Sequence, residues 1–593
     1  MAQSRTTSPE ADEQASPEPA ARPRLSTFHF LRPGPGTTAA LVLAVLAAAA
    51  LPLAAPHLTR RFVDDAIAGA ATAHLLTLAA GYLALVLTGQ AARLATVWVA
   101  SRLAWDGTNN LRERLAEHAL RLDMDYHGAH TPGEMIERVD GDVTAVADFA
   151  VAFIVDVVVG ALLLAGVLAV VFTLDVRLGA ALLVYCLLLG FAMMRVQRLA
   201  TPSAAEAREQ SAAVIGGLEE HLTMAEDIRA NGAGAHVVNR FHRASAGWFR
   251  ADYRASTVGS ALIAGTSVAF AAGTALMLAL AAWGRVSGVL TVGTAVLLFQ
   301  YMLMVRTPFE RLIDQLRQYQ GALAGMARAG ALLAEPRTLP PPADPRPLPG
   351  SGPLSLHLDG VGFAYPDDGA RVLAGVTITL KPGETLGLVG RTGSGKTTIA
   401  RLILRLYDPT AGAVRVGGID LRDTDPASLR RRVGVVTQDV QLFAADVRDN
   451  LTLFRPGTDD SRLREILGEV GLGEWLAALP NGLDTRVDHV SAGEAQLLAF
   501  ARAFLADPGL VVLDEASSRL DPATERHIER CVDRLLTGRT GVLIAHRLTS
   551  LSRVDKIAVV SDGAIVEYGY RRDLAADPGS RFSRMLELAG AGR

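Results

Sequence analysis

A chain of 593 residues exceeds what one hydrophobic core organises, and 50% hydrophobic content with a mean hydropathy of +0.25 argues against a wholly soluble protein. The net charge of -3, with no basic stripe, excludes a general polyanion binder, so no nucleic-acid partner is expected. Cys186 and Cys531 are the only cysteines, which rules out a disulfide framework and leaves both as expected buried fillers without metal-binding spacing.

Residues 1–36 are rich in Pro, Ser, Ala, Glu and Arg, lack an apolar period, and are predicted to form a disordered cytoplasmic tail. Six apolar runs follow at 37–57, 73–97, 149–174, 178–196, 257–282 and 289–310, each near the length of about 20 residues that crosses a bilayer. Residues 37–334 are therefore predicted to be an all-α, six-helix transmembrane domain embedded in a lipid bilayer. The long connections 98–148 and 197–256 read as helical extensions. They hold twelve arginines, among them Arg102, Arg112, Arg121, Arg208, Arg240 and Arg254, whereas the short connections carry only Arg60, Arg61, Arg177 and Arg285. By the positive-inside rule both termini and both long connections face the cytoplasm, in a multi-pass protein of the cell membrane, expected to be a bacterial plasma membrane. Gln90, Arg93 and Asp156 are polar groups in or beside these runs. Snorkelling or helix pairing is favoured over cargo contact, and none of the three identifies a substrate.

A proline-dense linker occupies 335–353, too rich in proline for helix or strand. From 354 to 593 the alternation of Leu354, Leu356 and Leu358, the run 376–380, and later apolar strands between amphipathic helices predict an α/β domain. Within it, Gly390-Arg391-Thr392-Gly393-Ser394-Gly395-Lys396-Thr397 fits the GxxxxGK[ST] pattern, between a strand-like run at 385–389 and a helix-like segment at 398–406. These residues and Thr398 are the candidate phosphate cradle of a P-loop NTPase, for which a nucleoside triphosphate is the expected ligand. The only lysines are Lys381, Lys396 and Lys556, so a lysine in the loop stands out against an arginine-biased chain. Downstream, the apolar run 510–513 ends in Asp514-Glu515. Alone, two acids there are ordinary strand-end solvation. With the upstream loop they supply what triphosphate hydrolysis needs: Asp514 and the Thr397 hydroxyl to hold Mg2+, and Glu515 as base for the attacking water.

Five further motifs occur in a telling order: Phe363-Ala364-Tyr365-Pro366, Gln438 after Val435-Val436-Thr437, the segment from Val490 to Gln496, Ser518-Arg519-Leu520-Asp521, and His546 after Ile544-Ala545. With the phosphate loop they resemble the ATP-binding cassette (ABC) transporters, and the whole chain is similar to an exporter-fold half-transporter. The resemblance implies that Tyr365 stacks on adenine, that Gln438 senses the γ-phosphate, Mg2+ and water, that His546 donates to the γ-phosphate, and that Asp521 contacts nucleotide. It also implies that Ser491 and Gly493 complete the ATP site of a second half-transporter, giving a homo- or heterodimer with two shared sites. ATP-driven export of an unidentified lipophilic or amphipathic small molecule, lipid or peptide by alternating access is the implied activity. Import of a chelated metal and a regulatory nucleotide-binding membrane protein are the alternatives.

Two departures from the family pattern stand out. The usual Leu-Ser-Gly-Gly-Gln signature is here Val490-Ser491-Ala492-Gly493-Glu494, and the preceding segment 483–489 lacks the glycine-rich stretch. The added carboxylate could repel phosphate. Ser491 and Glu494 also form an S-x-x-E capping box, which would turn it away. A weaker signature in a heterodimer and an ordinary homodimer both remain open. Segments 126–137, with Thr131-Pro132-Gly133-Glu134, and 218–231 resemble the regions that dock on the nucleotide domain, and an amphipathic surface helix explains them as well.

Overall fold

A computed structural model describes residues 34–593 except 287–289, 340–341, 367–368, 488–489, 515–521, 546–547, 589 and 591–593. The chain forms two compact units: residues up to Leu120 with Gly133–Glu335, and Arg121–Pro132 with Pro336–Arg593.

The first unit is all-helical. Six helices are long and apolar enough to cross a membrane: Pro35–Ile67, Thr72–Leu120, Pro132–Leu174, Val176–Thr223, Gly234–Gly284 and Val292–Arg311. Leu83, Leu87, Leu94, Leu187, Phe191 and Ile263 lie exposed on their outer faces, an arrangement stable where lipid is the solvent. The second, fourth and fifth helices run for 49, 48 and 51 residues, more than twice the length of about 20 residues that a bilayer requires. The expected helical extensions are thus continuations of the spans themselves. Small residues bring the helices together: a Cβ on Gly160 would lie 3.3 Å from Pro308, and one on Gly166 would lie 2.2 Å from Leu53. The third span contains two π-helical turns, Glu137–Gly141 and Phe153–Val158, which nothing in its composition announces.

The second unit is α/β. Its strands are β1 (Leu356–Ala364), β2 (Arg371–Leu380), β3 (Thr385–Val389), β4 (Ala411–Val416), β5 (Ile419–Asp420), β6 (Val433–Val436), β7 (Leu510–Asp514), β8 (Thr540–Ile544), β9 (Lys556–Ser561) and β10 (Ala564–Tyr570). One antiparallel sheet has the order β2-β1-β4-β5; the other has the order β10-β9-β3-β8-β7-β6, parallel except for β10. Every residue of β3 and β8 is buried, as expected for parallel strands covered on both faces. The predicted run at 385–389 is β3 itself. The helix after the loop is shifted from the expected 398–406 to Lys396–Ile403, because it begins directly at the loop and ends before Arg405, whose φ is +48°. The later half of the proline-dense segment lies against this unit: Arg346 N donates to Asp423 O at 2.8 Å, and Leu348 is buried in the core.

Glu384, just before β3, and Lys556, opening β9, pair at 2.7 Å. Burial pulls the Glu384 pKa up, but the Lys556 hydrogen bond, the backbone N–H of Lys381, the Lys556 charge and the Tyr570 hydroxyl together outweigh it and hold the carboxyl below its ordinary range. Burial pushes the Lys556 amine down, and its bond to Glu384 together with the charges of Glu384, Tyr568 and Tyr570 more than restores it, so its pKa is raised. The lowered carboxyl therefore contributes stability above a pH of about 4.3 that fades as pH falls through its folded value, and the raised amine contributes stability below about pH 10.4 that fades as pH rises. Lys556→Met is expected to cost about 3 kcal/mol near neutral pH, because a partly buried carboxylate loses its partner. Hydrogen exchange at β3 and β9 amides should report the loss at pH 7 and a much smaller one at pH 4. An equal loss at both values would remove the pair from the stability of these strands.

Candidate nucleotide-binding site

The loop that follows β3 turns back on its own lysine. Lys396 is 5% exposed, and its Nζ donates to Gly390 O at 2.7 Å and Arg391 O at 2.9 Å. Two glycines permit the turn. A Cβ on Gly390 would fall 2.2 Å from Val560 O, and Gly395 has a φ of +105° where it hands the chain to the helix Lys396–Ile403. Ile399, Leu402 and Ile403 bury the inner face of that helix. Its N-cap has no side-chain cap, so the first N–H groups face the loop without one.

The residues fit a phosphate group. Ser394 Oγ is buried with no hydrogen-bond partner among the described residues, and a Cβ on Gly393 would meet nothing within 4 Å, so the crest of the loop is open. Arg391, Thr392, Gly393 and Thr397 are exposed around it, whereas Thr398 is buried and its hydroxyl lies 3.2 Å from the Tyr365 hydroxyl. Arg401 also donates to the Tyr365 hydroxyl, at 3.0 Å, and the Tyr365 ring stands edge-on to Phe363 and Tyr407 at 4.9 and 5.3 Å. Tyr365 is thereby fixed beside the helix that leaves the loop.

Sheet order gathers the rest. β3, β8, β7 and β6 run parallel, so the loop after Val389, Asp514 at the end of β7 and Gln438 beyond β6 all emerge at the same edge. At the usual strand spacing Asp514 lies about 10 Å laterally from the end of β3, across β8. Gln438 is exposed one strand further on. Among the described residues no cluster of three His, Cys, Asp or Glu could hold a metal. A Mg2+ here would draw on Thr397, Asp514 and Gln438 plus phosphate oxygens, the sparse protein donor set typical of that ion. Glu515, Asp521 and His546 lie outside the described residues.

The segment after Gln438 is held by groups with no motif to mark them. Asn450 is fully buried; its Nδ2 donates to Phe443 O at 3.0 Å and its Oδ1 accepts from Phe443 N at 2.9 Å. Arg502 donates to Asn450 O at 2.7 Å, Asn450 Oδ1 at 3.0 Å and Gln441 O at 3.1 Å, and burial pushes its pKa down. Arg502 belongs to the last turns of the helix Ala492–Ala506, so that end of the helix and the segment following Gln438 are tied through one side chain. The only sequence signal is a lone arginine within the apolar run 497–505.

The same helix opens on Ser491 with a complete capping box: Glu494 N donates to Ser491 Oγ at 3.2 Å and Ser491 N to Glu494 Oε2 at 2.7 Å. The carboxylate is bent back onto the chain. Gly493 is required by packing, since a Cβ there would lie 2.7 Å from Thr524 Cγ2 on the helix Pro522–Leu536. In the first unit, Glu134 pairs with Arg138 one turn along at 2.5 Å, and a short helix spans Ala225–Ala230.

A phosphate cradle at the C-terminal edge of a parallel sheet, in one chain with six apolar helices, defines a nucleotide-binding membrane protein. Residues 38–309 match the ABC transporter transmembrane region and residues 373–518 match the ABC transporter family. The chain belongs to the ABC transporters, with the transmembrane and ATP-binding domains fused, and is a multi-pass membrane protein. It is 30% identical to the ABC transporter ATP-binding protein YknV of Bacillus subtilis, over 91% of this chain and 89% of that protein. To an ATP-dependent lipid A-core flippase of Chromobacterium violaceum it is 29% identical, over 83% of this chain and 84% of the flippase. Among solved structures it is similar to a bacterial Atm1-family ABC exporter with ATP bound, at a TM-score of 0.76 and 25% identity, covering 93% of this chain and 98% of the other.

Proposed function

We propose that the chain is one half of a dimeric exporter that hydrolyses ATP and moves a lipophilic or amphipathic molecule by alternating access, with both termini in the cytoplasm of a bacterial cell. The observation that carries this reading is the open loop around Lys396 with its unpartnered Ser394 hydroxyl, fused to six membrane-length helices. Relatives named as exporter and flippase support the direction.

In this reading the N–H groups of the loop and the Lys396 ammonium bind the β- and γ-phosphates, and the Tyr365 ring borders the adenine. Thr397, Asp514 and Gln438 would hold Mg2+, which would supply charge neutralisation at the phosphate oxygens. Glu515 accepts the proton of the attacking water, Gln438 orients that water, and His546 donates to the γ-phosphate. Asp521 contacts the nucleotide, while Ser491 and Gly493 face the site of the partner half. Segments 126–137 and 218–231 are the proposed docking regions through which closure of the paired nucleotide domains moves the helices.

The capping box bears on how strong the signature is. Glu494→Gln keeps both box bonds, since glutamine serves at that position, and removes one negative charge near the proposed phosphate position. The ATP concentration for half-maximal turnover should fall about threefold, the effect of a like charge largely screened at the surface, with little change in stability. No change in that concentration would mean that the bent carboxylate does not face phosphate. The broader reading is tested in lipid nanodiscs assembled with one or two copies of the chain. Phosphate release from MgATP is expected only from two-copy discs and is abolished by EDTA; full turnover from one-copy discs would contradict the shared-site dimer.

A further inference from the structure

Inside the first unit a cavity of about 500 Å³ opens between the first, second, third and sixth spans. Each helix contributes one face at helical spacing, as with Tyr82, Val86, Gly89, Gln90 and Arg93 on the second. Its volume falls in the range of about 300–1,000 Å³ usual for small-molecule sites.

The cavity is graded along its depth. On the second span a Cβ at Gly81 would lie 3.8 Å from Leu58, and one at Gly89 would lie 3.8 Å from Leu51, so Arg93 falls a turn further on, near the level of Ala48. On the sixth span Gln300 donates to Thr59 at 3.4 Å, so Arg311, eleven residues along, comes to the same level as Arg93. Asp156, within the π turn of the third span, pairs with Arg311 and accepts from Gln315 Nε2 at 3.3 Å. Three charged groups therefore share one end. The rest of the wall is largely apolar, with Leu85, Val86, Leu163, Leu303 and Met304.

The charges do not cancel. Asp156 and Arg311 neutralise one another, and Asp156 is also hydrogen-bonded to Gln315. Arg93 is exposed on the cavity face with no ion-pair or hydrogen-bond partner among the described residues. A cation at membrane depth is unfavourable by about 3 kcal/mol on insertion scales, and such residues characteristically face a cavity or an opposite charge. One uncompensated guanidinium at the end of an apolar cavity is complementary to a hydrocarbon body ending in one anionic group.

We propose that this cavity receives the transported molecule and selects a lipophilic amphiphile with a single negatively charged head, which Arg93 pairs with while the apolar wall takes the hydrocarbon. This assignment rests on the transporter reading. The π turn has a role in it, since it sets Asp156 against Arg311 and so leaves Arg93 as the free cation.

The test is equilibrium binding, without ATP, of a fluorescent anthroyloxy fatty acid, its methyl ester and the matching alkylamine to the full chain in zwitterionic nanodiscs at a pH where the acid is ionised. The acid is expected to bind about tenfold more tightly than the ester, from one charge-assisted hydrogen-bonded pair. Arg93→Gln should erase that preference without weakening ester binding, Arg93→Lys should retain it, and Arg93→Glu should transfer it to the amine. Adding phosphatidylglycerol to the discs separates two sources of the head: displacement of the acid assigns the cavity to an anionic lipid, and its absence assigns it to a free lipophilic acid. Equal binding of acid and ester, or an unchanged preference in Arg93→Gln, overturns the proposal. Selective binding without ATP-driven movement would instead sink the transporter reading and leave the cavity's selectivity standing.

Discussion

Lys396→Ala is expected to lower MgATP turnover of the reconstituted dimer by about 10²–10³-fold, the usual effect of removing one preorganised donor from a developing charge. The effect has two sources. The ammonium is the point charge proposed for the β- and γ-phosphates, and in the present geometry it also holds the loop by donating to Gly390 O and Arg391 O. Without it the carbonyls of Gly390 and Arg391 lose a donor, and the loop is free to turn away from the shape that opens Ser394 and Gly393 toward a ligand. Binding of labelled ATP should therefore weaken along with turnover. Lys396→Arg should rescue little of either, because a planar guanidinium does not fit a site 5% exposed and built around a compact ammonium. Wild-type binding and turnover in Lys396→Ala would remove the loop from the account.

Glu515→Gln separates binding from chemistry. The amide is close in shape to the carboxylate but cannot take a proton at neutral pH, so turnover should fall by about 10²–10⁴-fold, the range ascribed to a positioned general base. ATP should still bind, since the loop and Lys396 are untouched, and unhydrolysed ATP should be recovered from the protein after washing. The basis is the sequence position of Glu515, directly after the last residue of β7, whose neighbour β8 lies between it and β3. Near-normal phosphate release from this variant would place the base elsewhere.

Features confined to a short stretch of chain were legible before any coordinates. The phosphate loop is contiguous and flanked by β3 and its helix, and the six spans announce themselves because a bilayer demands uninterrupted apolar length. The box at Ser491 and Glu494 is equally local, and it forms as its spacing predicts. What escaped was set by distance in sequence. The links from Arg502 to Asn450, from Lys556 to Glu384 and from Arg311 to Asp156 join residues 52, 172 and 155 positions apart, and no local period marks them. Gly493 read as a phosphate neighbour, yet the approach of Thr524 also requires a glycine there. From sequence alone, snorkelling or helix pairing is favoured for Arg93 over cargo contact. Only the convergence of four helix faces on one cavity gives it a setting.

The central claim is that splitting ATP at this site drives movement through the helices. Its most direct measurement is accumulation of the labelled lipophilic acid in inside-out membrane vesicles, with MgATP supplied outside, for the intact chain beside Glu515→Gln. The intact chain should concentrate the compound inside the vesicles and Glu515→Gln should not, although both bind ATP. Equal accumulation by the two, or net loss from vesicles carrying the intact chain, would contradict a hydrolysis-driven exporter.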